Sequence, residues 1–149
     1  MAIVLSAYCV GHYPLPADLM TWLVMLALAL LISLSHRRSL MIVSGQHIDV
    51  DTILTFAAIL LLNPLNALIT LVTGTLLSWP GRTAPPVERL FNLVQSVVSL
   101  SLSALVLNSG ATTPWLPVDL KAWLMMLVAG VVMFGTNVGL VCGVVSAQR

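Results

Sequence analysis

Residues 50–79 read VDTILTFAAILLLNPLNALITLVTGTLLSW, an apolar run that Asn63 and Pro64 interrupt in its middle. As one helix this run would be about 45 Å long, well beyond the roughly 30 Å hydrocarbon core of a bilayer. Proline removes a backbone donor and disfavours helix at the residue before it, and asparagine tolerates turns. The run therefore predicts two short helices, 51–62 and 65–79, joined by a tight turn. One long, kinked and tilted helix is the alternative.

Three longer apolar segments flank this run, and each is long enough to cross a bilayer. They cover residues 17–35, 87–108 and 119–147. Hydrophobic residues make up 59% of the chain and charged residues 7%, whereas soluble domains carry roughly a quarter charged residues. We therefore predict an all-α, polytopic transmembrane helix bundle with about five membrane helices, which forms a single integral membrane domain over residues 1–149.

The first 16 residues are expected to form an N-terminal interfacial segment. The apolar part of 1–13 is too short to span a membrane, and it has no basic stretch of the kind that opens a signal peptide. A truncated sixth helix that begins further upstream is the alternative.

The basic residues predict the orientation of the bundle, because cytoplasmic loops are enriched in Lys and Arg. If the segment at His36 is cytoplasmic and the turn at Pro64 is a hairpin, the arginines that fall on the same side are Arg37, Arg38, Arg82, Arg89 and Arg149. Only Lys121 is then left outside. Under the single-helix alternative Arg82 and Arg89 would be extracellular, so the charges favour the hairpin. We expect a multi-pass membrane protein.

A polar stripe runs along the helix predicted at 87–108. Its members recur at steps of three, four or seven residues, which places them on one helical face: Asn92, Gln95, Ser96, Ser99 and Ser103. Because unpaired amides are costly in hydrocarbon, the stripe should face the bundle interior, with Asn137 as its partner on the last helix. The stripe is either a ligand-facing wall or a set of hydrogen bonds that join helices.

The last helix carries Gly135, Gly139 and Gly143, a four-residue repeat that places three glycines on one face. Such faces let helix backbones approach closely. We interpret the repeat as a helix-packing motif and expect it to pack within the subunit, with packing against a partner protein as the alternative.

The sequence assigns no catalytic or metal-binding residues. His12, His36 and His47 lack the neighbouring ligands of a metal site. Any one of them could ligate a haem or chlorophyll axially, so the cofactor stays unknown. Asp49 and Asp51 are expected to cap the short helix that follows them. Without an intramembrane carboxylate typical of ion-coupled transport, neither an enzyme nor a pump is expected.

The spacing of a few polar residues resembles a known group of membrane domains. The matching pattern is a helix broken at Pro64, a helix with Phe91, Asn92 and Gln95, and a last helix with Asn137. It is similar to the N-terminal sensor-type membrane domains of bacterial signalling proteins, which precede HD-type phosphodiesterase or diguanylate cyclase modules. The resemblance implies a multi-pass protein of the bacterial inner (cell) membrane. It is distantly similar to the substrate-binding subunits of vitamin transporters, which also have short helices around a central pocket.

Three classes of function are compatible with these features. The resemblance and the polar stripe imply a small-molecule-binding or sensory membrane module, which would act through partner proteins because no output domain follows Arg149. The glycine repeat and the small size favour an accessory subunit of a larger respiratory or photosynthetic complex. The third class is the substrate-binding component of a transporter. The expected partners are the lipid bilayer and a membrane protein. Nucleic acid is not expected, because the net charge is only +1.

Overall fold

Five α-helices form the protein in a computed structural model, which describes residues 13, 15–37, 40–41, 47–48, 50–80, 85–110 and 120–147. The helices are α1 (Leu19–Arg37), α2 (Val50–Leu61), α3 (Pro64–Ser78), α4 (Pro86–Gly110) and α5 (Leu120–Ala147). Strands β1 (Leu40–Met41) and β2 (His47–Ile48) form a small antiparallel pair between α1 and α2. The predicted all-α bundle is therefore confirmed, and its helices begin and end within two residues of the predicted bounds. The N-terminal segment 1–12 lies outside the described residues.

The break between α2 and α3 is a capped turn. Asn63 has an extended backbone (φ −66°, ψ 160°), and its side-chain Oδ1 accepts a hydrogen bond of 2.8 Å from the backbone N–H of Asn66. Pro64 occupies the first position of α3, where its missing N–H costs nothing and its fixed φ suits the helix. An asparagine cap followed by proline thus ends one helix and starts the next.

The helix ends show that α2 and α3 form a hairpin. The C-terminal end of α1 meets the start of α2, where His36 Nε2 lies 2.9 Å from Asp51 Oδ2. The far end of α3 meets the start of α4, where Arg89 donates through Nη1 to the carbonyl oxygen of Trp79 at 3.3 Å. Asp51 and Thr75 line one cavity, so the start of α2 and the end of α3 lie at the same end of the bundle. The hairpin is confirmed.

Helices α1 and α3 approach each other closely at Gly74. A Cβ atom at Gly74 would lie 2.7 Å from the backbone oxygen of Ala29 and 2.9 Å from Cβ of Ile32. Both distances are far inside van der Waals contact, so only glycine fits. Thr70 and Ser78 lie one turn before and after Gly74 and are also buried. This row of small residues lets the two backbones approach, as in other membrane helix pairs.

The glycine repeat of α5 does not pack within the described part of the chain. A Cβ atom at Gly135, Gly139 or Gly143 would meet nothing within 4 Å. Among the described residues the expected packing within the subunit is not seen, because α5 contacts α4 through the face that carries Met133 and Asn137. Gly135 lies two residues from each of these, which is about 200° around the helix, so the glycines point to the opposite side.

Three of the helices are long and apolar enough to cross a membrane. They cover Leu19–His36, Pro86–Leu107 and Trp123–Val144. Many large apolar side chains on their outer faces are exposed, including Leu19 and Leu127, which is the surface that lipid would cover. The protein is a membrane protein with a helix-bundle fold.

The first crossing begins at a capped helix end. Asp18 Oδ2 accepts hydrogen bonds of 2.7 Å from the hydroxyl and from the backbone N–H of Thr21. These two bonds hold the pKa of the Asp18 carboxyl below its ordinary value, and the bond from the Thr21 hydroxyl has the larger effect. Beside the cap, Trp22 donates through Nε1 to the carbonyl oxygen of Pro16 at 3.1 Å. A charged cap and a tryptophan together mark a membrane–water interface.

Candidate functional site: a polar cavity within the bundle

A polar cavity of about 260 Å³ lies between the helices, toward the end of the bundle where α1 ends and α2 begins. All five helices contribute to its wall, and the lining side chains are His36, Asp51, Thr52, Thr55, Thr75, Asn92, Gln95, Ser96, Ser99, Met133, Asn137 and Val141. Ten of these twelve carry polar groups, which is unusual inside a bundle with so apolar a surface. Since one water molecule occupies about 30 Å³ of liquid, the space suits several waters or one small organic molecule.

The α4 wall of the cavity is the polar stripe predicted from the sequence. Gln95 and Ser99 are buried, Ser96 is half-buried and Asn92 is exposed near the start of the helix. All four line the cavity. Because they step by three or four residues, one face of α4 brings them to the same space.

Gln95 joins α4 to α5. Its Nε2 donates to the backbone oxygen of Asn137 at 3.0 Å and also contacts Asn137 Oδ1. A backbone carbonyl can only accept, so this bond fixes which end of the Gln95 amide is the nitrogen. The oxygen Oε1 is thereby directed away from Asn137 and makes no hydrogen bond among the described residues. The predicted pairing of the stripe with Asn137 is present in the structure.

Ser103 departs from the expected ligand-facing stripe. It is fully buried, and its hydroxyl lies 2.9 Å from the backbone oxygen of Ser99 and 3.0 Å from that of Ala129 on α5. It does not line the cavity. One turn beyond Ser99, α4 and α5 approach so closely that Ala129 is fully buried, which leaves no open space beside Ser103. Ser103 therefore links helices, while its neighbours on the same face surround the cavity.

His36 and Asp51 lie within hydrogen-bond distance of each other in the cavity wall, a pairing that was not predicted from the sequence. Asp51 was expected to cap α2; it lies instead in the first turn of α2, where its Oδ2 is 2.9 Å from His36 Nε2 and its Oδ1 accepts from Thr52 Oγ1 at 3.4 Å. The antiparallel strands β1 and β2 lie in the connection between α1 and α2, whose ends meet at this pair. The position of both residues at the ends of consecutive helices was the available signal. Asp49 and His12 lie outside the described residues, and His47 belongs to β2.

Three buried side chains in the cavity wall have a polar atom without a hydrogen-bond partner among the described residues. These atoms are Thr75 Oγ1, Gln95 Oε1 and Ser99 Oγ, on side chains that are 4%, 6% and 1% exposed. A buried polar atom left unpaired costs about 1–3 kcal/mol. Three such atoms around one space are readily explained by polar molecules that enter the cavity and bind them.

The side chains of the cavity offer hydrogen bonds and one carboxylate rather than a metal site. Among the residues that the structure describes, no group of three His, Cys, Asp or Glu side chains is close enough to hold a metal ion. The hydroxyls and amides are groups that bind and orient a polar molecule.

Comparisons of the chain with protein-family models, with curated proteins and with solved structures gave no match.

Proposed function

We propose that the protein is a non-enzymatic membrane module of the bacterial inner membrane that binds a small polar molecule inside its helix bundle and acts through partner proteins. The observation that carries the proposal is the set of three buried, unpartnered oxygens on the wall of one cavity. If the polar stripe served only to join helices, its hydrogen-bonding groups would be used up between them, as they are at Ser103.

The position of the cavity supports a sensory role. Every helix contributes at least one side chain to its wall, so a bound molecule lies between all five. A ligand that binds one arrangement of the helices better than another shifts the population toward that arrangement. A partner protein can read such a shift at the membrane-exposed surface of the bundle.

Binding can be tested with Ser99→Ala in the purified full-length protein. Three probes share one carbon chain and differ in one end group: 4-amino-1-butanol, 1,4-butanediol and 4-hydroxybutanoate. We expect at least one of them to raise the melting temperature measured by tryptophan fluorescence. Removal of the Ser99 hydroxyl should lower the affinity for that probe about 2- to 13-fold, which corresponds to the loss of one hydrogen bond of ~0.5–1.5 kcal/mol.

Ser101→Ala is the matched control for this test. Ser101 lies on the same helix, is also 1% exposed, and its hydroxyl also lacks a partner among the described residues, but it does not line the cavity. Its replacement should leave probe affinity unchanged. The proposal fails if no probe stabilises the protein, or if the two serine variants lose affinity equally.

An accessory-subunit role is the second candidate function, and the open glycine face of α5 favours it. Gly135, Gly139 and Gly143 are exposed, and α5 is the least buried of the three spanning helices. A helix of a partner protein could approach that face closely. Gly139→Leu should then release a partner that co-purifies with the parent protein in mild detergent. Retention of the same partner by the variant would argue against this role.

A further inference from the structure

The unpartnered oxygen of Gln95 restricts what the cavity can bind. Because Nε2 is held by Asn137, the part of the Gln95 amide that remains available is Oε1, which is an acceptor. The hydroxyls of Thr75 and Ser99 can donate or accept. A molecule that satisfies all three atoms must therefore bring at least one hydrogen-bond donor, and a molecule with acceptors alone leaves Gln95 unpaired.

The charges of the cavity wall further restrict which molecules can bind. Asp51 is the carboxylate among the lining side chains, and neither lysine nor arginine is present in that set. In the described wall, Asp51 therefore supplies a carboxylate that pairs with His36 Nε2. His36 Nε2 and Thr52 Oγ1 occupy one lone pair on each Asp51 oxygen, and a carboxylate has about four such sites. The carboxylate thus has capacity for a further donor.

We infer that the cavity binds a small organic cation, with a primary ammonium group that donates to Asp51 and a second donor that reaches Gln95 Oε1. This inference rests on the proposed function and names the chemical class of its ligand. A bare metal ion would leave most of the 260 Å³ unfilled, whereas a short amino alcohol fits that space and supplies donors at both ends.

The three probes test the inference directly in the unmodified protein. 4-Amino-1-butanol should stabilise the full-length protein in detergent at a concentration at least about tenfold lower than 1,4-butanediol, because a charge-assisted hydrogen bond is worth about twice a neutral one. 4-Hydroxybutanoate should give the weakest effect. Sodium chloride at the same ionic strength should not reproduce the effect of the amine.

Asp51→Asn should remove the preference for the amine. The variant keeps the shape of the side chain and loses its charge. The affinity for 4-amino-1-butanol should therefore fall to that for 1,4-butanediol, whereas the affinity for 1,4-butanediol should change little. Asp18→Asn is the matched control, because it removes a carboxylate that caps α1 outside the cavity. Asparagine caps helices as well as aspartate does, and this variant should keep the preference.

The outcomes separate the inference from the proposed function. If the diol or the carboxylate stabilises the protein as well as the amine, and does so through Ser99, the ligand class is wrong while the binding module stands. If sodium chloride matches the amine, the site binds inorganic cations and the inference falls. If none of the probes binds, the proposed function falls as well. The probe comparison in the unmodified protein decides the question even if Asp51→Asn does not fold.

Discussion

Replacing Gly74 by leucine is expected to prevent the bundle from assembling. Even the first atom of a side chain at this position would lie 2.7 Å from the backbone oxygen of Ala29, which cannot rotate away. Relief requires α1 and α3 to separate, and that would open the buried contacts around Ile32 and Leu71. Overpacking in a core typically costs about 1–3 kcal/mol, and a leucine against backbone should exceed that range.

The expected measurement is a loss of monodisperse protein on size-exclusion chromatography in detergent. Gly74→Ala should give a folded protein with a clearly lower melting temperature, even though alanine is the better helix former by about 1 kcal/mol. Gly139→Leu is the control, since a Cβ atom there meets none of the described residues within 4 Å. That variant should melt like the parent. Equal behaviour of the Gly74 and Gly139 variants would show that the α1–α3 contact is wrong.

These two glycines show what sequence alone could predict about packing. A four-residue repeat identifies a face of a helix but does not say whether another helix covers it. The repeat at Gly135, Gly139 and Gly143 is the more regular one, yet no described residue lies within 4 Å of a Cβ atom on its face. The face of α3 that carries Gly74 also bears Thr70 and Ser78, and its four-residue spacing was equally visible. Which face is covered depends on how all five helices assemble, and this is not a local property.

Helix bounds, by contrast, follow from local chemistry. Pro64 and the cap at Asn63 end α2 and begin α3, and Asp18 caps α1. The prolines at 85 and 86 start α4. Because each of these signals acts on its own backbone through a missing donor or a side-chain hydrogen bond, the sequence located the ends to within two residues.

The candidate site was only half visible in the sequence. The α4 stripe and Asn137 stood out because amides and hydroxyls recur on one face of long apolar helices. His36, Asp51 and Thr75 did not, because each stands near a helix end, where polar residues are ordinary. They became part of a site only when the hairpin returned α3 to the end of the bundle where α2 begins.

Cysteine labelling should show an all-or-none division of the loops between the two sides of the membrane. In a background without Cys9 and Cys142, a cysteine at Glu88 should label from the same side as one at Ser146. Cysteines at Ala17 and Leu120 should label from the opposite side. All four positions are exposed at or near helix ends.

The division follows from helix lengths. α1, α4 and α5 have 19, 25 and 28 residues, and each can cross a core of roughly 30 Å. α2 and α3 have 12 and 15 residues, about 18 Å and 22 Å, so neither crosses alone. The hairpin enters the membrane and returns to the side from which it came, which places the start of α4 beside the end of α1.

The basic residues assign the sides. Arg37 ends α1 and Arg89 lies in the first turns of α4, so both fall at the same end of the bundle, which the positive-inside bias makes cytoplasmic. The predicted companions Arg38, Arg82 and Arg149 lie outside the described residues. In intact cells a membrane-impermeant maleimide should therefore label positions 17 and 120 only, and positions 88 and 146 after permeabilisation. Labelling of position 88 from outside would mean that residues 50–79 cross the membrane as one kinked helix, and the cavity between the five helices could not exist as described.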